Sequence, residues 1–437
     1  MRPRLGVRAL KGSLIALSAV ASGTQASAQS YQEGTSTTAT PPALATGLSD
    51  LFAAGVRRNG TGINAGGFTF LPRASTSTVY DNNVYASPSN REGDAYVNMD
   101  GQLGIVSNWS RHALEFYIGG GGNRYVDLKD ESKGYANAGV AGRLDVNRDL
   151  WLTGYGKYRL GFEPRGSGES FQQFKEPITT QTLDGGALVH RAFNRVWVEL
   201  SGSVRHQTFS DAELLVDGEF QEVDQSFRDG TIKDVRGRLG YEFSPKTSAF
   251  VETAREWRNY DDSEFDGNGY KLLTGLRYEL TRLVNAEVAV GYLNQESNGI
   301  LDDIDSWAFR AQLRYDITPL LRAEIVGSRD IGSPSMDLDD DLDDNPSNRI
   351  ESEIGVRADY ALRRDLTLTV GAGYGWVDYV DVNREDKYVR LTTGLEYMLR
   401  PSLSLWANYA FLTYDSNEVP TIDYDKSVFS VGVVTRY

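Results

Sequence analysis

One five-residue pattern recurs through the second half of this chain: Tyr, any residue, a large apolar residue, then Ser, Thr or Arg, then Pro or Arg. It reads Tyr241 to Pro245, Tyr278 to Arg282, Tyr315 to Pro319, Tyr360 to Arg364 and Tyr397 to Pro401. Counted from Ser244 to Thr281, Thr318, Arg363 and Arg400, the steps are 37, 37, 45 and 37 residues. Each copy ends one alternating segment and precedes another. That is the grammar of a repeated β-hairpin, with the Tyr and the apolar residue on one face. A period of this length fits a propeller blade, a solenoid coil or a barrel hairpin.

Parity separates these possibilities. Leu366, Leu368, Val370, Ala372, Tyr374 and Trp376 alternate with Thr367, Thr369, Gly371, Gly373 and Gly375. Trp307, Phe309, Ala311, Leu313, Tyr315 and Ile317 alternate with Arg310, Gln312, Arg314 and Asp316. A propeller hides both faces of most strands in a core. Here one face is apolar with aromatic ends, and the other is small or charged. That asymmetry requires lipid outside and a polar interior.

Connection lengths agree. Tight turns are expected at the five repeats and at Asn108 to Arg111, Asn147 to Asp149 and Phe193 to Arg195. Nine longer polar connections lie between them, over 81–91, 127–133, 164–175, 211–227, 261–268, 298–303, 331–348, 381–386 and 415–423. Strict alternation of short and long connections predicts an all-β fold, a transmembrane antiparallel barrel of about 18 strands, with 16 as the alternative. Its short turns would be periplasmic and its long loops extracellular.

The N-terminus places the chain in an export route. Arg2, Arg4, Arg8 and Lys11 precede a short apolar run from Ser13 to Ser22 and a small-residue site at Ala26-Ser27-Ala28. This is the form of a signal peptide over residues 1–28, too short to span a bilayer as a helix. Residues 29–64 read as a periplasmic segment, Ser/Thr/Pro-rich at first. Leu44, Leu48, Leu51, Phe52 and Val56 then recur at helical spacing. The barrel occupies 65–437. Phe429, Val431, Val433 and Tyr437 alternate up to an aromatic end, the form of a C-terminal β-signal for the barrel-assembly machinery. The expected location is the outer membrane of a Gram-negative bacterium, with its lipid and lipopolysaccharide as surroundings.

Near the first strand, Thr78-Val79-Tyr80-Asp81-Asn82-Asn83-Val84-Tyr85 resembles the putative beta-barrel porin 2 group of outer-membrane proteins from Proteobacteria. The tyrosine-bearing hairpin ends and small-residue strands are similar to that group over roughly 65–437. The resemblance implies an outer-membrane barrel. Some relatives are associated with exopolysaccharide or capsule export beside a periplasmic export protein. The group has no agreed catalytic residues, so none carry over.

The inward parity supplies the site candidates. The pore-lining bases are Arg143, Lys157, Arg159, Arg236, Arg238, Arg277, Arg310, Arg314, Arg357 and Arg390. The acids are Glu242, Glu279, Asp316, Glu353, Asp359 and Glu396. An Arg or Lys facing lipid near the midplane costs about 2–4 kcal/mol, so these groups face a polar lumen. They either line a channel with a transverse field or form an internal salt-bridge ladder. Trp151, Tyr155 and Trp406 are further candidates for the lumen. Tyr241, Tyr278, Tyr315, Tyr360 and Tyr397 should form one ring at the periplasmic boundary.

Other chemistry is thinly represented. The chain has no cysteine and therefore neither disulfides nor thiolate chemistry. Four of its 45 bases lie in the signal segment, so 41 face 60 acids in the mature chain, a balance that repels nucleic acid. The loop carrying Asp339, Asp341 and Asp343 offers oxygen ligands for a divalent ion but lacks EF-hand spacing, and a solvated acidic loop is the plainer reading. His112, His190 and His206 form no recognisable constellation with Ser or Asp, so no enzyme and no cofactor are expected. The expected function is a channel for hydrophilic solutes, with a polysaccharide-export component as its finer form. The alternatives are a closed adaptor barrel docking a periplasmic partner through residues 44–58, and an outer-membrane enzyme.

Overall fold

The structure, a computed structural model, describes residues 62–166, 174–216, 219–279, 283–333, 347–380, 383–417 and 423–437. The expected signal peptide, the helical segment at 44–58 and the acidic loop around Asp341 lie outside these residues.

The first strands are β1 (Ile63–Ala65), β2 (Phe68–Asp81), β3 (Asp94–Ser107), β4 (Ala113–Tyr125), β5 (Gly134–Asp145), β6 (Leu150–Phe162), β7 (Thr179–Phe193) and β8 (Val196–Phe209). A small hairpin follows, β9 (Ala212–Val216) and β10 (Glu219–Val223). Then come β11 (Gly230–Ser244), β12 (Thr247–Tyr260), β13 (Gly267–Glu279), β14 (Val284–Ser297), β15 (Ile304–Thr318) and β16 (Leu321–Ile331). The last are β17 (Arg349–Arg363), β18 (Leu366–Tyr379), β19 (Glu385–Arg400), β20 (Leu403–Ser416) and β21 (Tyr424–Arg436).

Strands β2 to β8 and β11 to β21 form one antiparallel sheet of 18 strands, and β2 pairs with β21 to close the ring. Closure leaves no raw edge, which is what a sheet in hydrocarbon requires. Eight short connections alternate with nine long ones, so both ends of the barrel sheet lie on the short-turn rim. Pro245, Pro319 and Pro401 fall in the short turns, where no ladder N–H is needed.

Three regions differ most from the sequence reading. The connection expected over 211–227 contains the β9–β10 hairpin, whose five register pairs run from Glu219–Val216 to Val223–Ala212. The connection expected over 164–175 extends to residue 178, because β7 begins only at Thr179. Ile63 and Asn64, expected in the periplasmic segment, pair with Phe70 and Thr69 of β2. β1 therefore occupies the edge of β2 at the short-turn end, where the β21 ladder stops at Arg73–Arg436.

The two faces divide as the alternation dictates. Leu239, Val251, Leu272, Leu276, Val288, Val290, Ile354, Val356, Val370, Phe429 and Val431 are large, apolar and exposed. They all lie on the outward parity. A belt of this kind is stable only against lipid, since a soluble monomer rarely exposes so large an apolar surface. Tyr241, Tyr278, Tyr315, Tyr360 and Tyr397 are also exposed and outward, each a few residues before a short turn. The structure thus places them together at the short-turn edge of the belt. Phe429, Val431 and Val433 lie outward on β21, and Tyr437 follows it with its N–H donating to the Pro72 carbonyl at 3.2 Å.

A second regularity appears on the inward face. Six large aromatic side chains each stand directly opposite a glycine on the neighbouring strand. The pairs are Trp197–Gly240, Phe250–Gly275, Tyr388–Gly375, Trp406–Gly432, Tyr135–Gly121 and Tyr155–Gly186. In all six, a Cβ on the glycine would fall within 3.0 Å of the ring or its hydroxyl. The rings therefore lie flat along the wall, over backbone, instead of standing up into the lumen. This is why Gly121, within the run Gly119 to Gly122, is a glycine: Tyr135 occupies the space a side chain would take.

Candidate functional site: the barrel lumen

Every lumen candidate lies on the inward parity, but the lumen is divided into two unlike sectors. Along β8 to β15 charged side chains interlock across the inward face, chiefly toward the short-turn end. Arg238 on β11 binds Glu252 on β12 at 2.9 Å, Glu199 on β8 at 3.4 Å and Glu287 on β14 at 2.6 Å. Arg310 on β15 binds Glu252 at 2.8 Å and Glu287 at 3.3 Å. Arg277 binds Glu287 at 3.0 Å, and Arg236 binds Glu252 at 3.5 Å. Glu199, Glu252 and Arg238 are at most 5% exposed. Each charge meets several opposite charges, which is what makes their burial tolerable.

An apolar strip packs beside the network. It joins Trp197, Phe250, Leu273, Ala289, Leu293 and Ala308 to Ile304, Ile331 and Ile350. Cations and rings stack along its short-turn side. The Arg143 guanidinium lies 4.4 Å from the centre of the Trp151 ring. Trp151 stacks on His190 at 4.8 Å, and His190 on Trp197 at 6.1 Å. Arg277 and Arg238 then cover Trp197 and Phe250 at 5.2 and 4.1 Å. Such contacts add about 0.5–2 kcal/mol each, more when desolvated. His190 is fixed by this stack and by Glu199 at 3.1 Å, and no nucleophile is part of the cluster. His206 faces outward beside Thr231, and Nδ1 of His112 accepts the Asp145 N–H.

The other sector stays open. Inward residues Gly119, Asn123, Asn137, Gly139 and Lys157 on β4 to β6 are half-buried, as are Glu353, Gly355, Arg357, Gly371, Gly373 and Arg390 on β17 to β19. Gln312 and Val326 face inward yet are exposed. Small side chains and long polar ones here leave surface that water reaches. Its charges are mostly paired along the wall: Arg357 with Asp359 at 2.9 Å, Asp316 with Arg322 at 2.6 Å, Glu396 with Arg436 at 2.7 Å, and Arg143 with Asp145 at 2.8 Å. Arg314 faces Glu324 at 3.9 Å. The Lys157 ammonium lies 4.8 Å from the Tyr155 ring centre, and the Arg390 guanidinium 5.9 Å from that of Tyr388. Arg159 is exposed on β6. Glu242 and Glu279 share the inward parity at the short-turn rim, where Glu279 is exposed. Trp151, Tyr155 and Trp406 all point inward.

The sequence reading did not single out Glu252, Trp197 or Phe250. Glu252 and Phe250 share the inward parity of β12 with Ala254, so counting twos back from Ala254 would have found them. Among the described residues, no group of His, Cys, Asp and Glu is arranged to hold a metal ion.

An 18-strand closed sheet, apolar outside and polar within, defines a transmembrane β-barrel of the outer-membrane class. The chain belongs to the family described as "Putative beta-barrel porin 2", whose sequence profile matches residues 59–437. None of the curated proteins compared matches it. Among solved structures it is similar to the copper transporter OprC, at 8% identity and a TM-score of 0.45, covering 86% of this chain and 81% of that one. It is also similar to OccAB3 from Acinetobacter baumannii, at 12% identity and a TM-score of 0.41, covering 84% and 99%. A ferric enterobactin receptor mutant from Pseudomonas aeruginosa matches at 9% identity and a TM-score of 0.39, covering 84% and 80%. Likenesses at these scores carry no argument about this chain's function.

Proposed function

We propose that the protein is an outer-membrane channel for hydrophilic solutes, with its short turns in the periplasm and its long loops outside the cell. The observation that carries this reading is the open sector. Its inward face is polar, glycine-rich and reached by water, and it runs beside a wall braced by ion pairs and apolar packing. Barrels of 16–18 strands usually leave an aqueous channel. Here the channel is off-centre, between β4–β6 and β17–β19. Mostly paired charges along it present donors and acceptors to a passing solute.

Reconstitution into planar bilayers tests the reading, with ion selectivity measured and neutral oligosaccharides added as blockers. Discrete conductance steps are the expected result. A correctly folded barrel that never conducts would count against an open path. Block by long saccharides would support the finer form, a polysaccharide-export channel working with a periplasmic partner. The packed sector favours a second reading, an adaptor barrel stiffened by its internal charges. That reading predicts a folded, silent barrel that co-purifies with a periplasmic protein.

A further inference from the structure

We propose that residues 163–166 form a lid pinned across the long-loop mouth over the open sector. The inference adds gating to the channel reading and rests on it, although its first test does not. Residue 163 follows β6 directly, yet the segment ends against β21, five strand spacings of about 4.8 Å away around the wall. Gly166 sits on Tyr424, whose hydroxyl donates to the Gly166 carbonyl at 3.0 Å. Tyr424 is on the inward parity and buried, so the segment has crossed to the inner face of β21. It meets there a stack of parallel rings, Tyr424 on Tyr414 at 5.7 Å and Tyr414 on Tyr388 at 6.4 Å.

Three pins hold the crossing. Arg165 is 4% exposed and grips Glu131, which is also 4% exposed, from the connection after β4. Its Nη2 donates to Oε1 at 2.6 Å, and its Nε lies 3.2 Å from both carboxylate oxygens. Its guanidinium also faces the Tyr85 ring at 5.6 Å. On the far side, Glu163 receives Arg228, held at Nη1 by a 3.1 Å bond. The third pin is Gly166 itself. Its φ is +80°, and a Cβ there would fall 2.6 Å from the Cβ of Ala86 and from the Tyr424 ring. A side chain at this position would be strained by both conformation and contact. Segment and mouth are thus fitted to each other by buried polar contacts, few enough to be released together.

The absence of cysteine allows a direct measurement. Lys157→Cys places one thiol in the lumen on β6, the strand that carries the lid. Its modification by a membrane-impermeant, positively charged methanethiosulfonate is timed on intact cells. Slow modification is expected in the otherwise unaltered protein. At least about tenfold faster modification is expected when Glu131→Gln frees Arg165. A smaller acceleration is expected from Tyr424→Phe, which keeps the ring and removes only the bond to Gly166. If Glu131→Gln impairs folding, the Tyr424→Phe pair still decides. Equal rates in every background, or fast modification without any lid substitution, would overturn the lid. The same variants are then recorded in bilayers, where longer open times are expected. Accelerated modification without conductance in any variant would sink the channel reading and leave the lid standing.

Discussion

Arg310 on β15 reaches over two strands to close on Glu252 of β12, Nη2 to Oε2, at 2.8 Å. Neighbouring strands are about 4.8 Å apart, so three spacings separate the two backbones. Only a sharply curved wall lets these side chains meet. The pair is therefore a structural clamp on curvature as much as a contribution to the charge lining the lumen.

Glu252 is 2% exposed and contacts Arg236, Arg238 and Arg310. Glu252→Gln leaves these guanidinium groups short of a counter-charge, a loss of about 3–5 kcal/mol for a broken buried pair. Urea unfolding of the reconstituted barrel, followed by its gel-mobility shift, should show that loss. The double variant with Arg310→Met should recover part of it. An unchanged midpoint for the single variant would mean that the network is solvated rather than closed.

The glycines under the lumen rings make a sharper test. Gly240→Ala pushes a methyl into Trp197, and Gly375→Ala pushes one into Tyr388. Overpacking of this kind costs about 1–3 kcal/mol. The ring can escape only by standing up into the lumen, so Gly375→Ala should also lower single-channel conductance. Gly101→Ala is the control, because nothing lies within 4 Å of its added Cβ.

Charge reversal separates the two sectors. Lys157→Glu and Arg357→Glu alter the open sector and should move the reversal potential toward cations under a salt gradient. Arg238→Gln lies in the packed sector and should lower stability while leaving selectivity in place. A selectivity change from Arg238→Gln instead would put the passage on the other side of the barrel.

The belt predicts a dependence on depth. Val370 is outward and 43% exposed on β18, and Tyr360 is outward beside a short turn. Arg at Val370 should cost about 2–4 kcal/mol, whereas Lys at Tyr360 should cost about 0–1 kcal/mol. Folding yields into lipid vesicles over a urea series measure both. Equal costs would mean that the tyrosines do not mark the membrane edge.

Much of this architecture is legible in the sequence because a strand writes its two faces as alternate letters. Leu366 to Trp376 states its parity outright, and Tyr315-Asp316-Ile317-Thr318-Pro319 states a hairpin end. The lumen candidates follow from the same alternation. What alternation does not carry is lateral register. That Trp197 meets Gly240, or that Arg238 reaches Glu287, depends on shear and curvature around the ring, which no single strand encodes. Loops are less legible still. The β9–β10 hairpin reads as part of a polar connection, and nothing local to Gly166 points to its partner Tyr424, 258 residues further along.

The seam between β2 and β21 has a consequence for biogenesis. Asn83 donates to the carbonyl of Asp425, 342 residues further along, and beside it Lys426 is buried against Asp81 at 2.7 Å. Every other ladder of the barrel joins strands consecutive around the chain, so it can form hairpin by hairpin. This one must wait until synthesis and insertion have delivered both partners. Until then the sheet carries two open margins, and the Lys426–Asp81 pair can form only when those margins join.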